Sequence, residues 1–301
     1  VKTKSPRVQL MRTSLGHSWL GLGVILVLAA VLRLSALAEN PAVLNRDEAA
    51  LAYNAYLLQQ TGQDEWQRRW PLALESFGDY KLPGYSWLLQ PSLTIFGLTD
   101  WAVRLPAALA GIILVGLTYG LSRRVLQLKR LPSLLVSLSV ATQPVFIFYS
   151  RMAWEANVAL SLLVGAVWLL FHHRSQPSWW QDTLAILLLL AGTFTYNTPW
   201  LLLPVLAGCL LIWRHGRWRQ LWWPILGMAL TFLVGWSAFA SLSQQKSGIT
   251  IFSDETLWMQ SVEYYNSFTG WQQTLFGNRY LFFARELGQR LIDSFSYQFL
   301  V

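Results

Sequence analysis

The chain has 301 residues, of which 54% are hydrophobic and 13% are charged, and 17 are tryptophan. This composition excludes an ordinary soluble domain and is typical of a membrane protein with several spans. The net charge of +8 comes from basic residues scattered between apolar runs, so no nucleic-acid interface is predicted. A single cysteine, Cys209, excludes an intrachain disulfide.

Seven apolar runs approach or reach the length of a membrane span, which is roughly 17–25 residues. They are 19–38, 103–121, 132–149, 156–171, 183–196, 199–213 and 222–241. Lysine and arginine concentrate before the first run and in alternate gaps, and such residues prefer the cytoplasmic side. We therefore predict an all-α polytopic membrane protein with about seven spans and the N-terminus inside.

The same charge count places the segments 39–102 and 242–301 outside, provided that residues 85–98 do not cross the membrane. This stretch is short, contains Pro91 and is rich in aromatic residues, so we predict a re-entrant or interfacial helix. Residues 1–241 are expected to form a transmembrane catalytic module. Residues 242–301 are expected to form an external amphipathic segment that leads to further spans beyond this piece of the protein.

The first polar cluster follows the first apolar run and contains Asp47 and Glu48. A carboxylate pair beside a membrane span is costly without a use, which favours chemistry at the membrane surface. The alternative is structural, because an Asp before a run of helix formers is a good N-cap. An Asp in the first turn of a helix is also favoured in its ionised form, which suits a general base.

Three further polar clusters fall in predicted external segments. Lys81 follows Asp79 and could bind an anionic phosphate or simply extend to the headgroup layer. Arg151 and Glu155 lie four residues apart and could belong to a site or form a local ion pair. The turn at 196–200 is more typical of an aromatic belt than of a ligand contact.

The sequence has no phosphate-binding glycine-rich loop, no dinucleotide fingerprint and no serine elbow. Energy input from nucleotide hydrolysis is therefore not indicated. Any donor substrate would have to arrive already activated, from the membrane.

With these residues in view, the chain resembles the N-terminal portion of the GT-C membrane glycosyltransferases of family 39, which include protein O-mannosyltransferases and lipid A aminoarabinose transferases. The most specific segments are "RDEAALAYNAYLLQQTGQDEW" and "SFGDYKLPGYSWLLQPSLTIFGLTDWAVRLPAALAG", in this order and at this spacing. "FYSRMAWEANVAL" and "TFTYNTPWLLLP" support it. The resemblance implies a GT-C helical bundle with external interfacial helices and a polyprenyl-phosphate sugar as donor.

The resemblance also implies roles for particular residues. Asp47 matches the catalytic base and Glu48 its companion, while Lys81, assisted by Arg151, would contact the donor phosphate. The candidates for positioning substrate are Asp79, Glu155, Asp64, Glu65 and Tyr85. Tyr85 and Trp87 are expected near the prenyl chain.

The chain departs from the family pattern at two positions. Tyr80 stands where the aminoarabinose branch has a metal-binding glutamate, so the presence of a divalent metal is left open. Trp200 stands where related bacterial sequences often carry arginine.

The sequence thus predicts an inverting sugar transfer from a polyprenyl-phosphate donor to an acceptor hydroxyl, with Asp47 as base. The predicted location is the plasma (inner) membrane, with the active site on the external or periplasmic face. The acceptor is left open between a glycan, a lipid and a protein. The alternatives are a lipid or glycolipid flippase, which would bury ionisable residues near the bilayer midplane, and a noncatalytic GT-C-like protein.

Overall fold

The computed structural model describes residues 6–172, 178–245, 255–270, 273 and 278–293. Contacts divide the chain into two compact units, Val1–Ser241 and Leu242–Val301. Within the described residues the structure is helical apart from one short hairpin, which confirms the predicted helical class. The predicted membrane side of each unit stays a prediction.

Within the described residues, ten helices and two strands begin in the first unit. In chain order they are α1 (Pro6–Leu34), α2 (Arg46–Thr61), β1 (Leu74–Ser76), β2 (Asp79–Lys81), α3 (Gly84–Phe96), α4 (Asp100–Arg124), α5 (Arg130–Thr142), α6 (Pro144–Ser150), α7 (Glu155–His172), α8 (Trp179–Thr195), α9 (Asn197–Trp213) and α10 (Trp222–Gln245), with a 3₁₀ turn at Trp218–Gln220. The second unit contains α11 (Glu255–Asn266) and α12 (Arg279–Asp293).

Among the described residues, α4 and α7 are long and apolar enough to cross a membrane. The bent pair formed by α5 and α6 could be a third span, and shorter apolar helices lie at Leu20–Leu34, Asn197–Trp213 and Trp222–Ser237. This composition agrees with a membrane protein. The predicted number of about seven spans stays a prediction.

The run at 132–149, which we predicted as one continuous span, is broken at Pro144 into two helices that meet at 56°. Proline has no N–H, so it leaves the carbonyl four residues earlier, that of Val140, without its helical partner. The buried Arg33 of α1 donates to this carbonyl and to that of Ala141, each at 3.0 Å. A charged side chain from a neighbouring helix thus satisfies the broken end of α5.

Helix α4 lies at the centre of the first unit and contacts α1, α3, α5, α6 and α7. Its buried face is built from small residues, among them Ala107, Ala110 and Gly111, which allow neighbouring helices to approach closely. A methyl group on Gly111 would collide with the side chain of Ser150 and lie 2.9 Å from the Arg33 Nε atom. The close packing of α4 therefore depends on glycine at this position.

Helix α3 covers Gly84–Phe96, close to the predicted helix at 85–98, whose position at the membrane interface stays a prediction. Tyr85, Leu89 and Leu93 recur every four residues and are buried on one face. The helix ends at Gly97, which has a φ of +68°. The side chain of Thr99 then caps α4 by accepting from the Ala102 N–H at 3.2 Å.

The hairpin of β1 and β2 was not predicted, because strands of three residues are too short to show an alternating pattern. The strands pair antiparallel, with Ser76 opposite Asp79. Phe77 and Gly78 form the two-residue loop, and both have a positive φ, which identifies a type I′ turn.

In the second unit, α11 and α12 pack against each other. The rings of Tyr264 and Phe282 lie 5.5 Å apart, and Leu257 and Phe283 are buried. The predicted amphipathic helices are thus present among the described residues of 242–301, and the remaining residues of that segment lie outside the described part. Its external position and the further spans stay predictions.

Replacing Gly111 by alanine is expected to lower stability by about 1–3 kcal/mol, because the added methyl forces Ser150 or Arg33 to move in a packed helix contact. The measurement is the unfolding temperature of the purified protein in detergent micelles. Gly116→Ala on the same helix is the matched control, since its methyl would meet only Leu26 at 3.7 Å. Equal unfolding temperatures for the two variants would contradict this account.

Candidate active site

The N-terminus of α2 is capped by Asn45, and the alternative that Asp47 is the cap is wrong. The Asn45 side chain accepts from the Glu48 N–H at 2.8 Å, and the Glu48 carboxylate accepts from the Asn45 N–H at 3.0 Å. This reciprocal pair is a capping box. Asp47 therefore lies in the first helical turn with a half-exposed side chain that has no capping role.

Lys81 brings together residues from three separate parts of the sequence. Its ammonium nitrogen lies 3.3 Å from Asp47 Oδ2, 3.8 Å from Glu155 Oε1 and 3.9 Å from Asp79 Oδ2. The Lys81 side chain is only 14% exposed, whereas that of Asp47 is 48% exposed. Four of the predicted site residues thus form one cluster, the Lys81 cluster, which solvent reaches from the side of Asp47.

Three carboxylates around one ammonium leave the Lys81 cluster with an excess of negative charge when all are ionised. Within the described residues, however, no group of three acidic, histidine or cysteine side chains is arranged so that it could hold a metal ion. The contacts at 3.3–3.9 Å are also longer than the 2.7–2.9 Å of a good charge-assisted hydrogen bond. None of the three contacts of Lys81 is therefore a short charge-assisted hydrogen bond.

Glu48 lies beside this cluster in sequence but is buried, with 1% exposure. Its carboxylate accepts from Arg104 Nε at 3.0 Å, from Arg104 Nη2 at 3.3 Å and from the Ala153 N–H at 2.7 Å. Both oxygens are thus occupied by structural partners. These contacts suit a residue that positions Asp47, and the predicted catalytic role of Glu48 stays a prediction.

Arg104 of α4 is the main site-forming residue that the sequence analysis did not identify. It is fully buried, and besides Glu48 it donates to the carbonyls of Leu37, Pro41 and Val43 at 2.7–3.0 Å. These carbonyls belong to the segment that joins α1 to α2. An arginine inside an apolar helix was the signal in the sequence, because a charge there needs a partner.

Arg151 binds the end of α1 instead of the Lys81 cluster. Its guanidinium donates to the carbonyls of Leu32, Ala36 and Asn40 at 2.9–3.1 Å. Among the described contacts, Glu155 pairs with Lys81 and not with Arg151. The alternative of a local ion pair between Arg151 and Glu155 therefore does not hold. Partial burial and the nearby charge of Arg104 lower the pKa of Arg151.

Asp64 and Glu65 organise the loop before the hairpin. Asp64 is buried and accepts from Arg68 Nε at 2.8 Å and from the backbone N–H groups of Trp66 and Arg68. Glu65 accepts from Asn54 of α2 and from the hydroxyl of Ser76 in β1. Glu65 thus joins the hairpin to α2, whereas Asp64 bonds within the loop, and their predicted positioning role stays a prediction.

An apolar cavity of about 670 Å³ lies between α3, α4, α7 and α8. Residues that line it include Leu88, Ile95, Leu109, Ile113, Trp168 and Leu188. Tyr85 and Trp87, which we expected here, are not among the lining residues. Leu88 and Ile95 lie seven residues apart on one face of α3, whereas the buried Tyr85 donates its hydroxyl to the Val103 carbonyl at 2.9 Å.

Trp200 at the predicted external turn is a packing residue. It is buried, its ring stacks on Phe232 at 4.9 Å, and its Nε1 donates to the Phe232 carbonyl at 3.0 Å. These contacts join α9 to α10. We interpreted the 196–200 turn as structural, and these contacts agree with that interpretation.

Breaking the buried ion pair between Glu48 and Arg104 is expected to lower the stability strongly, because it leaves one buried charge without a partner. Arg104→Met should cost about 3–5 kcal/mol, and the double variant Glu48→Gln with Arg104→Met should cost less than the sum of the two single changes. The unfolding temperature of each purified variant in detergent measures these losses of stability. Arg123→Met, at the exposed end of the same helix, is the control, and strict additivity at Glu48 and Arg104 would contradict the pairing.

Part of this site lies in a region that matches a known protein family. Residues 81–240 match the family described as dolichyl-phosphate-mannose-protein mannosyltransferase. This region includes Lys81, Arg151 and Glu155 and begins after Asp47. No curated protein sequence matches the chain.

Among solved structures, the chain is similar to ArnT from Cupriavidus metallidurans. The apo structure has a TM-score of 0.54 and 17% identity, over 80% of this chain and 44% of ArnT. ArnT bound to undecaprenyl phosphate gives 0.50 and 17%, over 79% and 43%. The chain thus spans less than half the length of ArnT, and the likeness confirms the predicted helical GT-C fold.

Proposed function

The chain belongs to the family of dolichyl-phosphate-mannose-protein mannosyltransferases, and from this premise we propose that it transfers a sugar from a polyprenyl-phosphate carrier to an acceptor hydroxyl. The observation that carries the proposal is the contact of Lys81 with Asp47 at 3.3 Å. It places a cation for the donor phosphate next to a carboxylate that can accept a proton. ArnT, which has the same fold, was solved with undecaprenyl phosphate.

In the proposed reaction, the carboxylate of Asp47 accepts the proton of the acceptor hydroxyl. The acceptor oxygen forms a bond to the anomeric carbon, and the bond from that carbon to the phosphate oxygen breaks. The electron pair leaves with the polyprenyl phosphate, and Asp47 later returns its proton to water. Attack opposite the leaving phosphate inverts the anomeric centre.

Lys81 would stabilise the charge that grows on the leaving phosphate. A phosphate oxygen would bind the ammonium beside Asp47, while Glu155 and Asp79 keep the ammonium in position. Arg151 donates to the carbonyls of Leu32, Ala36 and Asn40, so its assistance to the donor phosphate stays a prediction. A polyprenyl phosphate is already a good leaving group, so the reaction needs no general acid.

The apolar cavity would hold part of the prenyl chain. Its lining is almost entirely apolar, and most of its residues come from α4 and α7, the two described helices that are suited to cross the membrane. The lipid thus stays in the bilayer while the sugar reaches the Lys81 cluster. We propose that this cluster lies at the external face of the plasma (inner) membrane.

A flippase would need ionisable groups along a path through the membrane. The buried arginines of α1 and α4 are instead bound to backbone carbonyls and to Glu48, in a fixed structural arrangement. This observation favours the enzyme over the transporter.

Asp47→Asn is expected to lower sugar transfer by roughly 10²–10⁴-fold, because the amide keeps the shape of the side chain and cannot accept the proton. The measurement is release of polyprenyl phosphate from a labelled polyprenyl-phosphate hexose by the protein in membranes, with mixed cell-envelope acceptors. Glu39→Gln, an exposed acid outside the Lys81 cluster, is the matched control and should transfer normally. Equal turnover by Asp47→Asn and the unchanged protein would rule out Asp47 as the base.

Filling the cavity is expected to weaken donor binding without changing the chemistry. Leu109→Trp should raise KM for a long-chain donor by at least about tenfold, because the ring excludes several methylene groups of the lipid. KM for a donor with a short farnesyl chain should change little. Leu126→Trp, at an exposed position after α4, is the control, and an equal rise in KM for both donors would place the prenyl chain elsewhere.

A further inference from the structure

The tip of the hairpin carries an aromatic side chain where local folding rules disfavour one. In the type I′ turn, Phe77 has a φ of +53° and Gly78 a φ of +74°. Asn-Gly and Asp-Gly dominate this turn, because the left-handed region crowds the Cβ of most residues, and a bulky residue there is an outlier. Phe77 is also 69% exposed, so burial does not compensate for the strained backbone. Strained residues of this kind cluster at functional sites.

The position of Phe77 links the hairpin tip to the predicted base. The guanidinium of Arg46 lies 5.8 Å from the centre of the Phe77 ring, in a cation–π contact. The Nε atom of the same guanidinium lies 3.9 Å from Asp47 Oδ1. One arginine therefore bridges the aromatic ring and the carboxylate.

The two oxygens of Asp47 consequently face different partners. Oδ2 lies 3.3 Å from Lys81, where the proposed reaction puts the donor phosphate, whereas Oδ1 lies 3.9 Å from Arg46 Nε. Arg46 and Asp47 are both largely exposed on this side. An acceptor can therefore approach Oδ1 without displacing the donor from Lys81.

We propose that Phe77 and Arg46 form the acceptor platform and that the acceptor is a carbohydrate, whose pyranose ring lies on the Phe77 ring. The inference rests on the proposed function, in which Asp47 is the base. The negative face of an aromatic ring attracts the C–H groups on one face of a pyranose, and the Arg46 guanidinium donates to its hydroxyls. One hydroxyl then lies at Asp47 Oδ1. A serine or threonine side chain of a protein has no such face to stack.

The kinetic test compares Phe77→Asn and Phe77→Trp with the unchanged protein in lipid nanodiscs. Asn suits the turn better than Phe, so Phe77→Asn should fold at least as well. It should raise KM for an extracted envelope glycolipid fraction by roughly three- to tenfold, while KM for the polyprenyl-phosphate hexose stays unchanged. Phe77→Trp should keep the acceptor KM. Unchanged acceptor KM in Phe77→Asn, or better transfer to a pool of serine- and threonine-containing peptides than to the glycolipids, would overturn the proposal.

A binding measurement separates this inference from the proposed function. With 4-fluorophenylalanine incorporated at position 77, titration with methyl pyranosides should move the ¹⁹F resonance, and Arg46→Met should weaken the response. This readout requires no turnover, so it tests the platform even if the donor class is wrong. A resonance that does not respond to any pyranoside would overturn the acceptor platform, whereas loss of transfer in Asp47→Asn would still support the base.

Discussion

The buried ion pair between Glu48 and Arg104 is the interaction on which the geometry of the site depends. Arg104 projects from the central helix α4, and Glu48 belongs to the first turn of α2. The same two side chains bind the segment that leads into α2 and the backbone just before α7. Because each charge is buried, neither can leave without a large desolvation cost to the other. The pair therefore fixes three chain segments to one point.

Asp47 and Glu155 flank the residues fixed in this way. Asp47 precedes Glu48, and Glu155 follows Ala153 by two residues, so the ion pair sets the distance between the two carboxylates. Lys81 reaches the same place from the hairpin, which Glu65 joins to α2. The residues that are fully buried thus hold the scaffold, and the half-exposed residues beside them are left for chemistry. This division explains why adjacent acids, Asp47 and Glu48, have such different surroundings.

The apolar cavity and the Lys81 cluster supply two complementary environments. The cavity lies between helices that are suited to a membrane, and the cluster lies at the polar ends of α2 and α7. A lipid-linked phosphate needs both, because its chain is insoluble in water and its charge is costly in hydrocarbon. The small residues of α4 allow the neighbouring helices to pack closely. The same unit thus contains an apolar cavity and a charged cluster, as the proposed donor requires.

The sequence by itself determined the helical membrane class, because long apolar runs bury their backbone bonds only as helices in lipid. It also identified Asp47, Asp79, Lys81 and Glu155, since costly charges next to apolar runs stand out locally. Only the tertiary structure decided that these four meet, that Glu48 and Arg151 are bound to structural partners, and that Tyr85 faces the core. Those outcomes depend on contacts between residues up to about a hundred positions apart, as between Glu48 and Ala153, which no local pattern encodes. The hairpin was likewise decided by tertiary contacts, because strands of three residues are stable only when neighbouring helices and side chains hold them.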